Sequence, residues 1–151
     1  MTLWLDASVL VSLITREPTS HQIDDLLYQE IEMPFVSDFC IAECSSAIAR
    51  LVRIGARTAG EADELFQSLD LWIETASAPI DVESEDIALA TAFVRRPGIS
   101  LRAPDAIHIA AAHRLGATLL TLDLGMARAA AALGVDHLNP AEADAPGEPK
   151  D

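Results

Sequence analysis

A chain of 151 residues, half of them hydrophobic and 23% charged, is long enough to bury one core without disulfides or a structural metal, and its balance excludes a disordered polypeptide. A formal net charge of −14 excludes a broad basic surface, so a nucleic-acid substrate would have to be held at a local site. The same charge suits basic protein partners and divalent cations.

The N-terminal run MTLWLDASVL has no basic start and meets Asp6 before a long apolar stretch develops. It therefore reads as neither a signal peptide nor a membrane span, and a cytoplasmic protein without membrane contact is expected. LWL at 3–5 is the first predicted strand, and Thr19 with Gln22 is spaced as a capping box that opens a helix. PFVS is the second strand. The helix after it carries Cys40, Cys44, Ala47, Ile48 and Leu51 on one buried stripe, with Glu43 on the border of that stripe rather than on the solvated face. Cys40 and Cys44 stand one turn apart and, with no other cysteine or clustered histidine, read as helix packing rather than a disulfide or zinc site.

Gly55 marks the end of that helix, and Thr58 with Glu61 is a second capping box. WIETA at 72–76 is predicted as the third strand. In LRAPDAIHIAAAHRLG, Pro104 suits the first helical position, which puts Asp105 in the opening turn, and Gly116 stops the helix. TLLTL, followed by Asp123, and VDHL are the last strands, with Gly134 ending the helix between them. Helices alternating with strands predict an α/β fold whose mostly parallel sheet is covered on both faces. The domain is expected to span 1–140, with 141–151 a flexible acidic tail.

In an open parallel sheet, sites form outside the carboxyl ends of the strands. Asp6 and Asp123 each follow a strand there, Asp105 opens a helix, and Glu43 borders the core. Asp6, Asp105 or Asp123 alone could simply cap a helix or complement its dipole, and Glu43 alone could be a snorkelling surface acid. Together, four acids repel and raise one another's pKa unless a cation compensates, which makes such a cluster suited to a hard divalent metal. His108, three residues after Asp105, shares an apolar helix face with Ala111 and Ala112 and reads as a half-buried structural histidine. A Ser–His–Asp triad around Ser8 lacks a G-x-S-x-G elbow, and no G-x-G-x-x-G or P-loop follows a strand.

Around these acids, LWLDASVLVSLITREP, FVSDFCIAECSSAIARLVRIG and LRAPDAIHIAAAHRLGATLLTLD resemble the PIN-domain family, and within it the VapC-type ribonuclease toxins of toxin–antitoxin pairs. The resemblance implies a PIN-like three-layer fold and an acidic quartet at Asp6, Glu43, Asp105 and Asp123. Ser8 and Thr121 would be supporting hydroxyls. It further implies Mg²⁺ or Mn²⁺, hydrolysis of RNA phosphodiesters, an antitoxin whose basic or arginine-bearing segment blocks the site, and a homodimer. The alternatives are a PIN-like binding protein without catalysis, a strand-end-aspartate phosphohydrolase, and a receiver-like domain. The phosphohydrolase wants a second aspartate where Ser8 stands, and the receiver wants a lysine where this chain has only Lys150. For the RNA itself, Arg50, Arg53 and Arg57 are expected to form a basic rail along the Glu43 helix, with Arg50 about 10 Å and Arg57 about 21 Å from Glu43 along its axis. Arg95, Arg96 and Arg102 could extend it.

Overall fold

A computed structural model describes residues 1–142. Its elements run β1 (Leu3–Leu5), α1 (Ala7–Thr15), α2 (Ser20–Gln29), β2 (Phe35–Ser37), α3 (Asp38–Arg53), α4 (Ala59–Ala76), β3 (Ala78–Ile80), α5 (Ser84–Val94), α6 (Ala103–Arg114), β4 (Thr118–Leu120), α7 (Leu124–Ala132) and β5 (His137–Leu138). The five strands form one sheet in the order β3-β2-β1-β4-β5, and every pairing is parallel. The expected tail lies outside the described residues, apart from Ala141 and Glu142, which form an exposed turn. Among the described residues, no helix is long and apolar enough to cross a membrane.

Side-chain alternation along β1 divides the core into two layers. Leu3 and Leu5 face Val9, Leu10, Cys44 and Ile48 of α1 and α3, whereas Trp4 faces the other way, into Ile109, Ala112, Met126 and Ala130 of α6 and α7. Sheet and two helical coats thus make the three-layer α/β architecture that the apolar pattern predicts. The alanines of α6 let α5 approach closely, Ala90 packing on Ala106 and Ala110.

The order of the strands also fixes where a cleft must open. From β1 the chain winds to β2 and β3 on one side, while β4 and β5 lie on the other, so the winding reverses between β1 and β4. The two neighbours are held in register by Trp4 opposite Leu119 and Leu5 opposite Leu120. A crevice forms outside the carboxyl ends of strands at such a reversal. Asp6 and Thr121 are the first residues past those two ends.

Three local expectations are corrected. WIETA is not a strand: α4 runs through Ala76, and Leu65, Phe66, Leu69, Trp72 and Ile73 form one helical stripe on the core. The strand is Ala78–Ile80, at the sheet edge where Pro79 is tolerated. Thr19 precedes α2 but makes no capping bond, because its hydroxyl sits 2.7 Å from that of the fully buried Ser12, which requires a partner. Pro104 occupies the second position of α6, not the first, so Asp105 is third. The Thr58–Glu61 capping box is present, and Gly55, Gly116 and Gly134 take the left-handed conformation expected where helices stop.

One buried ion pair fastens α5 to α6. Arg114 donates from Nε to Asp86 Oδ1 at 2.6 Å and from Nη2 to Oδ2 at 2.9 Å, a fork on a carboxylate whose side chain is wholly enclosed. Burial pushes the Asp86 pKa up, but Arg114 and the Glu83 backbone amide outweigh it and the net direction is down. A folded-state pKa below the unfolded one contributes stability above the unfolded value, and that stability is lost as pH falls through the folded value. Asp86→Ala is expected to destabilise the protein by about 1–3 kcal/mol in urea unfolding at neutral pH, because it removes the two-bonded partner of Arg114 and the acceptor of the Glu83 amide, leaving Glu83 and Glu85 at 3.6 and 3.8 Å to hold the guanidinium more loosely. The cost should shrink on acidification.

Candidate active site

Asp6 closes β1 and caps α1. Its Oδ1 accepts from the Val9 amide at 3.1 Å and from Ser8 Oγ at 2.6 Å, and its Oδ2 accepts from Thr121 Oγ1 at 2.5 Å. The two hydroxyls in turn accept backbone amides from the β4 end: Leu122 donates to Ser8 Oγ and Asp123 donates to Thr121 Oγ1, each at 3.0 Å. Ser8 and Thr121 therefore tie the two strand ends together through the Asp6 carboxylate. That carboxylate is 1% exposed, and burial raises its pKa against the lowering pull of these bonds.

Asp123 caps α7, its Oδ1 accepting from the Met126 amide at 3.0 Å. Asp105, in the first turn of α6, faces the same crevice. Partial burial raises its pKa first, Arg102 lowers it, and the negative charge of Asp123 raises it further. Arg102 reaches Asp105 Oδ2 from Nε at 3.4 Å while remaining 78% exposed, so a solvated guanidinium lies beside this acid. Arg102 thus lies beside Asp105, a placement the sequence could not decide. Arg95 and Arg96 are exposed beyond the end of α5.

Glu43 projects from α3 and is bound at Oε1 by His108 Nε2 at 2.5 Å. The border position that helical periodicity assigns to it is where it stands, partly exposed beside a buried ring. His108 is not half-buried but 1% exposed, and it is not inert packing: its Nδ1 accepts from Trp4 Nε1 at 3.0 Å. The signals for this contact are present in the sequence. Asp105 and His108 are one turn apart on α6, and a buried indole N–H needs an acceptor. The partners are 104 residues apart in the chain, which local periodicity does not relate.

Cys40 and Cys44 are buried and free. Burial pushes the Cys44 thiol up to about 12, and burial reinforced by the charge of Asp6 holds Cys40 well above its ordinary value, as befits packing residues.

The basic rail is not continuous. Helix α3 ends at Arg53, so Arg50 and Arg53 lie on its last turn, and Arg57 comes after the left-handed turn at Gly55. There Arg57 pairs with Glu61 at 3.5 Å. Arg50 and Arg57 nevertheless share one cleft with Val11 and Thr15 of α1 and with Ala47 and Leu51 of α3.

All four acids are oxygen donors, and two of them carry pKa values raised by enclosure, a penalty that a hard cation relieves. In donor chemistry the set fits Mg²⁺ or Mn²⁺. As they stand, no three histidine, cysteine, aspartate or glutamate side chains among the described residues converge closely enough to hold an ion.

A parallel α/β sheet with acids at its winding reversal defines a class, and comparison identifies it. The PIN-domain model matches residues 3–132, and the chain belongs to that family. Solved structures of the same fold include the FitAcB structure from Neisseria gonorrhoeae, at 21% identity and TM-score 0.72, covering 92% of this chain and 98% of that one. The structure of VapBC2 from Rickettsia felis, bound to a DNA fragment from its promoter, matches at 15% identity and TM-score 0.70 over the same shares of the two chains. VapC20 of Mycobacterium tuberculosis, described as a toxin that cleaves the sarcin–ricin loop, matches at 16% identity and TM-score 0.66 over 85% of this chain and 95% of that one. No curated protein sequence matches the chain.

Proposed function

We propose that this protein is a divalent-metal-dependent endoribonuclease and the toxin of a toxin–antitoxin pair. The observation that carries the reading is the buried Asp6 carboxylate, set by Ser8 and Thr121 at the reversal between β1 and β4 in a PIN fold, with Asp123 capping α7 beyond β4, Asp105 near enough to feel its charge, and Glu43 held by His108. Toxin structures of the same fold support it.

In this reading Asp6, Asp105, Asp123 and Glu43 would hold Mg²⁺ or Mn²⁺, which when bound would supply Lewis acidity toward a phosphodiester and a lowered pKa for water. The protein's own part is positioning. Ser8 and Thr121 spend their hydrogens on Asp6, so its oxygens are oriented before any ligand arrives. Arg50, Arg53 and Arg57 contact RNA phosphates, with Arg50 and Arg57 doing so from the α1/α3 cleft rather than along one helix. The protein acts as a homodimer, and an antitoxin inserts a basic side chain at the acids, as Arg102 does toward Asp105 within this chain.

One observation favours a second reading, a PIN fold that binds without cutting: the four acids do not converge on a common ion position as they stand. A cleavage assay separates the two. Millimolar Mg²⁺ or Mn²⁺ should support hydrolysis of RNA by the purified chain and raise its melting temperature by binding the native state. Equal cleavage in excess EDTA rejects metal dependence. Metal-induced stabilisation without cleavage of any RNA supports the binding-only reading.

A further inference from the structure

We infer that Trp4 and His108 are positioning residues that fix the Glu43 carboxylate through a hydrogen-bond chain of defined direction. The consequence for metal binding rests on the function proposed above; the chain of bonds does not.

The indole N–H of Trp4 can only donate. It points at His108 Nδ1 from 3.0 Å, so that nitrogen accepts and carries no hydrogen. The imidazole hydrogen therefore resides on Nε2, which faces Glu43 Oε1 at 2.5 Å and donates to it. The opposite tautomer would set two N–H groups against each other in a space where Trp4 is 0% and His108 1% exposed, a costly arrangement for two buried donors. The indole thus dictates which end of the histidine reaches the glutamate.

Each link is itself immobilised. Trp4 sits in the central strand, paired on one side with Phe35 and on the other with Leu119. Its ring meets the imidazole edge-on at 6.2 Å, and Phe39 packs on the imidazole at 5.4 Å. Glu43 is the one partly exposed member, with a side chain whose rotamers would otherwise be sampled freely. The chain spends the rigidity of β1, passed through α6, on a residue of α3. One glutamate oxygen is occupied by the ring, and Oε2 accepts no hydrogen bond among the described residues. Outer partners of this kind characteristically orient a ligand for an ion.

Nitrogen-15 NMR of the metal-free protein reads the tautomer directly. His108 should show a hydrogen on Nε2 and none on Nδ1, and should keep it in Glu43→Ala, where the indole alone remains to set the tautomer, while adding Trp4→Phe to that variant should give a mixture. An Nδ1–H tautomer in the unaltered protein, or a mixture already in Glu43→Ala, overturns the inference. The consequence at Glu43 is read by calorimetric Mn²⁺ titration. His108→Gln should weaken binding roughly 10-fold, and should have no further effect in a Glu43→Ala background. An equal loss in both backgrounds means that His108 acts only on packing, and also overturns the inference. If His108→Gln fails to fold, Trp4→Phe serves in the same cycle. If the unaltered protein binds no Mn²⁺, the proposed function fails, and the tautomer measurement alone decides the positioning pair.

Discussion

Asp6→Asn is expected to reduce RNA cleavage at least about 100-fold, equivalent to roughly 2.7 kcal/mol at the transition state, while raising the melting temperature of the metal-free protein at neutral pH. Asparagine preserves the shape, still caps α1 and still accepts from Val9 and Ser8, so the capping role survives. What disappears is the charge, and with it the bond that Oδ2 accepts from Thr121, whose hydroxyl must turn to accept from the new amide nitrogen. Burial raises the Asp6 pKa in the folded state, so the folded protein holds that proton more tightly than the unfolded chain does. The associated penalty is absent below the unfolded pKa and complete above the raised folded value, and stability falls as pH rises between them. The stability gained by Asp6→Asn should accordingly be seen at pH 7 and fade on acidification, the opposite course to that of the Asp86–Arg114 pair. Added Mn²⁺ should raise the melting temperature of the unaltered protein and not that of the variant. Undiminished cleavage by Asp6→Asn would show that this aspartate is a helix cap and nothing more.

The parts of this site that were legible in the sequence are those set by short-range physics. LWL followed by Asp6 marks the carboxyl end of β1 to the residue, whereas β4 stops at Leu120, two residues short of the expected end of TLLTL, so that Asp123 lies three residues past the strand; the helical stripe through Cys40, Cys44 and Ile48 places Glu43 at the rim of the core. The misreadings share a cause. WIETA has strand-like residues, and its helical character emerges only when Leu65, Phe66 and Leu69 are counted with Trp72 and Ile73. The strand that replaces it, Ala78–Ile80, has three residues and a proline, and owes its pairing to Phe35–Ser37 rather than to its own propensity. Arg57 falls off the rail because Gly55 stops α3 before it, so projecting the helix past its own stop signal overstates the reach. The His108 contact depends on Trp4, a residue on another element and far away in the chain. Polar pairings of that kind are tertiary facts, whereas the position of an acid at a strand end is nearly a local one.

The remaining large effect concerns a partner. Expression of this chain alone in its host should arrest growth, the Asp6→Asn variant should not, and co-expression of an antitoxin that binds the chain should restore growth. The physical basis is the contrast between the acidic crevice and a basic side chain. With a net charge of −14, the protein attracts a cationic segment from a distance, although screening confines that attraction to about 8 Å at physiological ionic strength. Close to the site, a guanidinium offers planar donors matched to carboxylate oxygens and competes with a metal for the same lone pairs. Arg102 already makes a weak version of that contact at 3.4 Å, but at 78% exposure it is readily displaced. An arginine delivered by a docked partner would be desolvated and would hold Asp105 far more firmly. In vitro, the partner should therefore inhibit cleavage less effectively as Mn²⁺ concentration rises, while its binding to this protein should weaken with salt. Growth arrest that persists in Asp6→Asn would place the toxicity outside the acidic crevice. Inhibition insensitive to Mn²⁺ would mean that the partner blocks RNA access elsewhere, for instance at the α1/α3 cleft bearing Arg50 and Arg57.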